Sequence, residues 1–188
     1  MLAQHALQFN VAQLLKEATG GVRHYDINVE IGNDLDESLV VLLPLVGHLD
    51  FLRTGKDILV MGQLETTLQK TCGRCLTEFT ATVAIELEEE FSPSIDIITG
   101  APLPKDPEVD SANFISEQNI LDLVEVVRQE LVVAGESFRY CRPDCKGLCP
   151  YCGQDRNVVT CNCQEEQVDP RWADLQHLMD KDQPTKFR

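Results

Sequence analysis

Residues 58–91 read ILVMGQLETTLQKTCGRCLTEFTATVAIELEEEF and contain the clearest pattern in the chain. Apolar and polar side chains alternate on both sides of a short segment that holds Cys72, Gly73 and Cys75, as in strands that bury one face. The positions that share one mostly apolar face are Ile58, Val60, Gly62, Leu64, Thr66 and Leu68 in the first run, and Phe79, Ala81, Val83, Ile85, Leu87 and Phe91 in the second. The pattern predicts an antiparallel hairpin over residues 58–91 with both cysteines at its tip.

The other six cysteines lie close together beyond this hairpin. They fall within 23 residues, with the spacing Cys141-x3-Cys145-x3-Cys149-x2-Cys152-x8-Cys161-x-Cys163. The sequence Cys149-Pro150-Tyr151-Cys152-Gly153 is typical of a zinc knuckle. In such a turn two thiolates face one ion, backbone N–H groups point at the sulfur atoms, and glycine permits a tight exit. The spacing therefore predicts a metal site at this turn.

A tetrahedral structural zinc site needs four ligands. The first predicted site joins the knuckle to the nearest following pair, and its members are Cys149, Cys152, Cys161 and Cys163. The remaining four cysteines could form a second site that staples the hairpin tip to the start of the cysteine-rich segment, and these are Cys72, Cys75, Cys141 and Cys145. Two alternatives stay open: one zinc ion with mixed ligands, or a free and redox-active Cys72/Cys75 pair.

Weaker periodicities predict the remaining elements. They are a helix over residues 11–19 capped by Asn10, a half-buried strand over 25–31 and a more fully buried strand over 39–46. An acidic proline-containing linker over 92–117 follows the hairpin, and then a helix from Ile120 to Leu131 that ends near Gly135 and a last helix that begins at Asp169 and Pro170. The apolar side chains of the last helix would dock on the rest of the chain or on a partner, and these are Trp172, Leu175, Leu178 and Met179.

Together these elements predict an α+β protein with a curved, barrel-like antiparallel sheet, a few helices and a C-terminal cysteine-rich zinc module. We expect residues 1–135 to form the sheet domain, which includes the hairpin and the acidic linker. Residues 136–188 are expected to form the zinc module with the last helix. One well-buried core with a small appended module suits a chain of 188 residues.

The charge of the chain favours a protein partner over bare RNA. The formal net charge is −15, and between Glu86 and Glu130 twelve carboxylates face only Lys105 and Arg128. Such a surface repels phosphate and suits a basic protein, unless the carboxylates only keep the chain in solution. Direct RNA contact stays open because basic residues lie near the cysteines, although acids cancel them: Arg139, Arg142, Lys146, Arg156 and Arg171.

Neither catalysis nor membrane insertion is expected. The four histidines lie outside the cysteine-rich segment, and no HExxH or deaminase-type HxE sequence occurs. No apolar run approaches the roughly 20 residues that cross a bilayer, and no secretory leader is recognisable at the N-terminus. Disulfides need an oxidising compartment, so eight cysteines without such signals favour metal binding in a cytoplasmic, non-enzymatic protein.

Several motifs together resemble the YceD family, the large-ribosomal-RNA-subunit accumulation proteins of bacteria and plastids. They are Cys72-Gly73-Arg74-Cys75-Leu76, Cys145-Lys146-Gly147-Leu148-Cys149-Pro150-Tyr151-Cys152-Gly153, Asn157, Cys161-Asn162-Cys163 and Asp169-Pro170-Arg171-Trp172. The CKGLCPxCG string is the most specific of them. One departure is Arg156, which stands where a leucine is expected before Asn157 and bears on local packing. Arg74 is either an exposed contact or a donor to nearby backbone or to Glu78.

The resemblance implies a role in the synthesis, processing or stability of large-subunit (23S) rRNA, with a link to the small zinc-ribbon ribosomal protein L32. The expected partner is therefore a basic ribosomal protein or a precursor of the large subunit. A zinc- and thiol-based redox-sensing regulator is the alternative, because clustered cysteines can also release zinc when they are oxidised.

Overall fold

A computed structural model describes residues 6–32, 35–104, 107 and 109–163. In chain order the elements are β1 (Gln8–Asn10), α1 (Ala12–Lys16), β2 (Val22–Val29), β3 (Val40–Val41), β4 (Leu45–Thr54), β5 (Asp57–Thr71), β6 (Glu78–Pro93), a 3₁₀ turn (Ser111–Asn113), β7 (Phe114–Ile115), β8 (Ile120–Asp122) and α2 (Val124–Glu136). The helix predicted from Asp169 lies outside the described residues. Within the described ranges, no helix is long and apolar enough to cross a membrane.

One six-stranded sheet forms the body of the protein. Strands β2, β4, β5 and β6 pair antiparallel in that order, β3 pairs with β5, and β7 pairs parallel with the end of β6. The hairpin of β5 and β6 is continuous from the Ile58–Phe91 pair to the Thr71–Glu78 pair, so the predicted hairpin is present. Over the described residues the fold is mostly β with two α-helices. The described strands form an open sheet that is antiparallel except for the short β6–β7 pair, so the predicted antiparallel sheet is confirmed apart from that pair and its barrel-like closure stays a prediction.

The core lies against one face of this sheet because alternate positions of each strand point inward. Completely buried side chains on β4, β5 and β6 include Leu49, Phe51, Ile58, Val60, Leu68, Val83 and Phe91. Helix α2 covers part of the same face with its own buried stripe, Val126, Val127 and Leu131. Each such side chain stabilises the fold by about 1.5–3 kcal/mol relative to exposure.

Two glycines allow β4 and β5 to approach closely. A Cβ atom on Gly47 would overlap the carbonyl oxygen of Gln63, and one on Gly62 would overlap the carbonyl oxygen of His48. Since both obstacles are backbone atoms, no side-chain movement could relieve the collision. These two positions therefore require glycine, and they fix how the long hairpin packs beside β4.

Residues 39–46 do not form the predicted buried strand. Pro44 separates the short β3 from β4, because proline cannot donate a hydrogen bond to the ladder. Leu39 and Leu45 are buried, but most apolar residues between and beyond them are exposed: Val40, Leu42, Leu43 and Val46. Strand β4 instead continues to Thr54, over residues whose sequence pattern did not predict a strand.

The two predicted helices that fall in the described ranges are shorter than expected. Helix α1 covers only Ala12–Lys16, and the Asn10 Oδ1 atom accepts a hydrogen bond from the Ala12 N–H at 3.1 Å. Helix α2 begins at Val124 rather than Ile120, because residues Ile120–Asp122 pair with β1 as strand β8. Its C-terminal end at Glu136 agrees with the predicted end near Gly135.

The acidic stretch 92–117 is not a free linker. The Ser94 Oγ atom donates to the carbonyl oxygen of Ile115 at 2.6 Å, and Ile115 is completely buried in β7. An antiparallel bridge also joins Ile95 to Pro102. Proline-rich composition predicts irregular backbone, but the parallel pairing of β7 with β6 depends on contacts that composition does not encode.

Candidate metal centre

Four cysteines from two distant parts of the chain meet at the hairpin tip. We call them the tip cluster: Cys72, Cys75, Cys141 and Cys145. The first two follow β5, and the other two lie in the segment after α2. Their Sγ atoms all lie within 4.8 Å of one another. The sequence predicted this set of four as the second metal site, and the structure brings the same four together.

The spacing of the sulfur atoms suits a metal ion better than a disulfide. The Cys72–Cys145 and Cys75–Cys141 Sγ distances are 3.8 and 3.7 Å. A tetrahedron with metal–sulfur bonds of about 2.3 Å has edges of about 3.8 Å. A disulfide bond is about 2.05 Å long, and all eight cysteines are free. The donor set therefore fits a four-coordinate thiolate site.

The second group, which we call the knuckle cluster, consists of Cys149, Cys152, Cys161 and Cys163. Its Sγ atoms also lie within 4.8 Å of one another. Cys149 is buried, whereas Cys152 and Cys163 are exposed at the surface. The predicted first site and the structural grouping contain the same residues. Side chains two apart diverge in an extended chain, yet the sulfur atoms of Cys161 and Cys163 converge here.

The two Cys-x-x-Cys turns share one backbone geometry. In the knuckle cluster the Gly153 N–H donates to the Cys149 carbonyl at 2.9 Å, and the Cys149 N–H donates to the Gln154 carbonyl at 2.8 Å. At the hairpin tip the Leu76 N–H donates to the Cys72 carbonyl at 2.9 Å. The reciprocal bond runs there from the Cys72 N–H to the Thr77 carbonyl at 3.0 Å.

The hairpin tip is therefore a second knuckle, which the sequence did not reveal because leucine replaces the usual glycine. Leu76 adopts φ of 60°, close to the 72° of Gly153. Leucine in this left-handed region is uncommon. The only sequence signal for the equivalence was the Cys-x-x-Cys spacing itself.

Backbone donors favour an ionised thiol in the tip cluster. Burial acts most strongly on Cys72 and opposes ionisation, but backbone N–H groups of Cys75, Cys141 and Arg74 lower its pKa to about 6. Burial raises the pKa of Cys141 to about 12, with help from the neighbouring thiols of Cys75 and Cys72. Thiols this close cannot all ionise unless a cation lies among them, so metal binding would release protons.

The knuckle cluster shows the same division between its thiols. Backbone N–H groups of Cys152 and Tyr151 lower the pKa of Cys149 to about 6 despite its burial. Hydrogen bonding to the Cys152 thiol, followed by burial, raises the pKa of Cys163 to about 12. Each cluster thus contains a thiol whose lowered pKa prepares it to bind a cation first, and in the tip cluster hydrogen bonds with Thr77 also lower the pKa of Cys75.

Arg74, between the tip cysteines, contributes to structure. Its guanidinium donates to the carbonyl oxygens of Cys145 at 3.1 Å and Pro143 at 3.4 Å, and it stacks over the Tyr140 ring at 4.0 Å. Its own carbonyl accepts from the Leu148 N–H at 2.9 Å. The predicted donation to nearby backbone is thus observed, without Glu78 as an acceptor, and because Arg74 is also exposed its role as a contact stays a prediction.

Asn157 connects the two clusters. Its Nδ2 atom donates to the Cys145 Sγ atom at 3.4 Å, while its Oδ1 atom accepts from the Lys146 N–H at 2.8 Å. A residue in the loop of the knuckle cluster therefore orients a ligand of the tip cluster, as hydrogen bonds to metal ligands commonly do. Arg156, the departure noted beside it, donates its backbone N–H to the Gly147 carbonyl at 2.9 Å.

Each cluster supplies four thiol ligands, which would fill all four coordination positions of a tetrahedral ion and leave none open for a substrate. Structural metal sites have this composition, whereas catalytic zinc keeps one position open for water. Each cluster could hold one metal ion in this way. The hairpin tip and the segment after residue 135 share one cluster, and the predicted domain division at that position stays a prediction.

A comparison with protein-family models identifies the family of this chain. The model described as "Large ribosomal RNA subunit accumulation protein YceD" matches residues 60–179, which is more than half of the chain. The chain belongs to the YceD family. The match includes all eight cysteines and most of the long hairpin, whereas β1 to β4 precede it. The predicted family is thereby confirmed.

Curated relatives of this YceD-family chain come from mycobacteria. It is 28% identical over 130 residues to an uncharacterised protein of Mycobacterium tuberculosis (strain ATCC 25618 / H37Rv). The aligned region covers 69% of this chain and 59% of the relative. An uncharacterised protein of Mycobacterium leprae (strain TN) is 31% identical over 131 residues, 69% of this chain and 56% of the relative. The chain thus spans less than two thirds of the length of these relatives. No solved structure matches it significantly.

Proposed function

We propose that this protein is a non-enzymatic factor in the biogenesis of the large ribosomal subunit, and that it promotes the synthesis, processing or stability of 23S rRNA. The observation that carries the proposal is the YceD match, which extends over the long hairpin and both cysteine clusters. The family description refers to accumulation of large-subunit rRNA and supports a ribosome-related role.

In this proposal each cluster binds one zinc ion, and both ions are structural. Four thiolates in a tetrahedron are a common ligand set of structural zinc. The tip zinc would join Cys72 and Cys75 to Cys141 and Cys145 and so hold the hairpin end against the segment after α2. Closed sites of this kind bind no substrate, which is the reason for proposing a binding protein rather than an enzyme.

The proposed partner is a basic ribosomal protein such as L32, or a precursor of the large subunit. The net charge of −15 supports a basic protein, since opposite charges speed association and select partners. The cysteine-rich end carries Arg139, Arg142, Lys146 and Arg156, so it is the part of the described chain best suited to any direct RNA contact.

The test is the ratio of large- to small-subunit rRNA in cells depleted of the protein. We expect the ratio to fall and to be restored by the wild type but not by the Cys149→Ser/Cys152→Ser variant. Val158→Thr is the matched control, because this residue is 80% exposed beside the knuckle cluster and binds no metal. Immunoblots would show that all variants accumulate equally. An unchanged ratio after depletion would refute the proposal.

A redox-sensing role is the second candidate, because exposed Cys152 and Cys163 share a cluster with Cys149, whose pKa is lowered to about 6. Oxidation of a thiol depends on thiolate character and on access, and this cluster places the buried, low-pKa thiol of Cys149 beside two exposed thiols. A sensor would release zinc under mild peroxide and recover it after reduction. A structural site should keep its metal under the same conditions, so a zinc-sensitive dye distinguishes the two functions.

A further inference from the structure

An apolar patch is exposed at the start of β4. Val40, Leu42, Leu43 and Val46 have exposed fractions of 39, 46, 56 and 42%. Their sequence predicts a buried strand, yet among the described residues nothing covers these side chains. Clustered exposed apolar side chains of this kind mark interaction sites more often than scattered ones do.

Three of these residues lie on the outer face of the sheet, which is opposite to the core. Val40 is directly opposite Gln69, and Val46 is opposite Glu65, so each pair shares one face. Leu42 donates its backbone N–H to the carbonyl of Thr67, which lies between those partners on β5. The patch is thus continuous with the solvent-facing side chains of β5 and β6.

The same outer face carries a row of carboxylates. Glu86, Glu88 and Glu90 occupy alternate positions of β6, with side chains about 7 Å apart along the strand. Other carboxylates of this face are Asp26 on β2, Asp50 on β4 and Glu65 on β5. Among the described residues, no lysine or arginine forms an ion pair with any of these six, although Asp50 contacts His24 at 2.5 Å.

We propose that this outer face, formed by the apolar patch and the carboxylate row, is a docking surface for a lysine- and arginine-rich segment of another protein that also carries apolar side chains. Apolar anchors would bury the patch, and the basic side chains would pair with the carboxylates. The proposal rests on the proposed function, since it names the surface and the chemical class of the partner.

Charge argues against three other molecules or segments that could cover this surface: RNA, a second copy of the chain, and the chain's own C-terminal residues. RNA phosphates would be repelled by the carboxylates, and a second copy of the chain would bring another net charge of −15. The chain's own residues 164–188 contain four lysines and arginines against six aspartates and glutamates, so they are also acidic. A basic partner alone complements both parts of the surface.

Binding of a short synthetic peptide of alternating lysine and leucine tests the proposal. Fluorescence anisotropy with the zinc-loaded full chain should show saturable binding that weakens as salt is raised. The Leu42→Ser/Leu43→Ser variant should bind at least about tenfold more weakly, because two leucine side chains would no longer be buried on binding. The Glu86→Gln/Glu88→Gln variant should lose affinity mainly at low salt.

Matched controls come from exposed residues outside this surface. Ile98→Ser changes a side chain that is 88% exposed, and Glu37→Gln/Glu117→Gln removes two charges from loops, so neither should alter binding. A peptide of alternating glutamate and leucine should not bind. Equal binding of the two peptides, or wild-type affinity in the Leu42→Ser/Leu43→Ser variant, would overturn the proposal.

Two further measurements test whether the patch is covered by the chain's own C-terminal residues or by a second copy of the chain. Trp172 is the only tryptophan, so a red shift of its emission in the Leu42→Ser/Leu43→Ser variant would show that the chain's own C-terminal residues cover the patch. A sedimenting dimer that this variant dissociates would assign the patch to self-association. Either result overturns the docking proposal. A fall in the rRNA ratio without peptide binding would leave the proposed function standing and remove only the docking surface.

Discussion

Leu76 is the residue where the two knuckles differ most. Its backbone is left-handed, with φ of 60°, and its side chain is 62% exposed, so little packing offsets the unfavourable conformation. Left-handed backbone costs a non-glycine residue roughly 1–2 kcal/mol. Strain of this kind persists where surrounding structure imposes it, and here the two hydrogen bonds of the turn and the clustered thiols do so.

Replacing Leu76 with glycine should therefore stabilise the metal-loaded protein. We expect the free energy of unfolding to rise by up to about 1 kcal/mol, because the relief of strain exceeds the extra entropy of glycine in the unfolded chain. Urea denaturation measures the change. Leu76→Ala is the matched control, since it removes the side chain but keeps the strain. An equal gain in Leu76→Ala would show that exposure, not backbone conformation, is the cause.

At the scale of elements, the packing of the hairpin beside β4 depends on glycine at positions 47 and 62. Gly55, in the tight turn between β4 and β5, also has positive φ, but a Cβ atom there would meet nothing within 4 Å. Substitution of Gly55 would therefore test backbone strain alone, whereas substitution of Gly62 would also test steric collision between strands.

Gly62→Ala should cost at least about 2 kcal/mol of stability, because the new methyl group collides with the His48 carbonyl and forces the strands apart. Gly55→Ala should cost only about 1 kcal/mol, which is the strain alone. Thermal or urea unfolding of both variants measures the difference. Similar losses in the two variants would contradict the role of close strand approach.

Helix α2 is tied to the loop before β3 by Arg128. Its guanidinium contacts Asp36 at 2.7 Å and Glu125 at 2.6 Å. The hydrogen bonds of Ser38, followed by that of Arg128, lower the pKa of Asp36 from 3.8 to about 2. The hydrogen bonds of Arg128 and then Gln129 lower the pKa of Glu125 from 4.5 to about 2.

This contact should make stability depend on pH in the acid range. Both carboxyl groups have lower pKa values in the folded chain, so their contribution is present above about pH 4.5 and is lost as the pH falls towards 2. Arg128→Met should therefore destabilise the protein at pH 7 and lose most of its effect near pH 2. Arg142→Met is the control, because its pair with Asp144 is exposed. A pH-independent difference in urea midpoints would contradict the prediction.

At the scale of the whole molecule, the tip cluster joins two distant segments of the chain and closes the long loop between them. Cys72 and Cys145 lie 73 positions apart in sequence, and a metal ion between them would hold together everything from β6 to α2. Closing a long loop in the folded state restricts the unfolded chain, and the metal is bound only when the fold brings the ligands together. Metal content and global stability should therefore change together.

Reduced protein purified with zinc should contain two equivalents of metal per chain. Cys141→Ser should lower this to one, because the knuckle cluster remains complete, and should reduce the unfolding temperature more than Ser38→Ala does. Metal analysis by mass spectrometry and thermal unfolding measure both quantities. A content of one equivalent or none in the wild type would refute two separate sites.

The long hairpin and the likeness to the YceD family could be predicted from sequence because each is a local signal. Strand alternation from Ile58 to Phe91 shows directly which side chains face the core, and the Cys149-to-Gly153 turn is a short motif. The number and spacing of the cysteines also predicted two sites of four ligands each. Spacing alone could not exclude one site with ligands from both sets, because it does not show that Cys72 lies beside Cys145 in the fold.

Tertiary structure decided the features that depend on distant partners. Residues Ile120–Asp122 form a strand because β1 pairs with them, although their own pattern suits a helix. Residues 39–46 are apolar yet partly exposed, because the pairing of β3 and β4 with β5 places Val40 and Val46 on the outer face of the sheet. Leu76 adopts a glycine-like backbone because the turn around Cys72 requires it. Periodicity depends only on neighbouring residues in the sequence. Strand pairing, side-chain exposure and the convergence of thiols depend on distant segments that meet only when the chain folds.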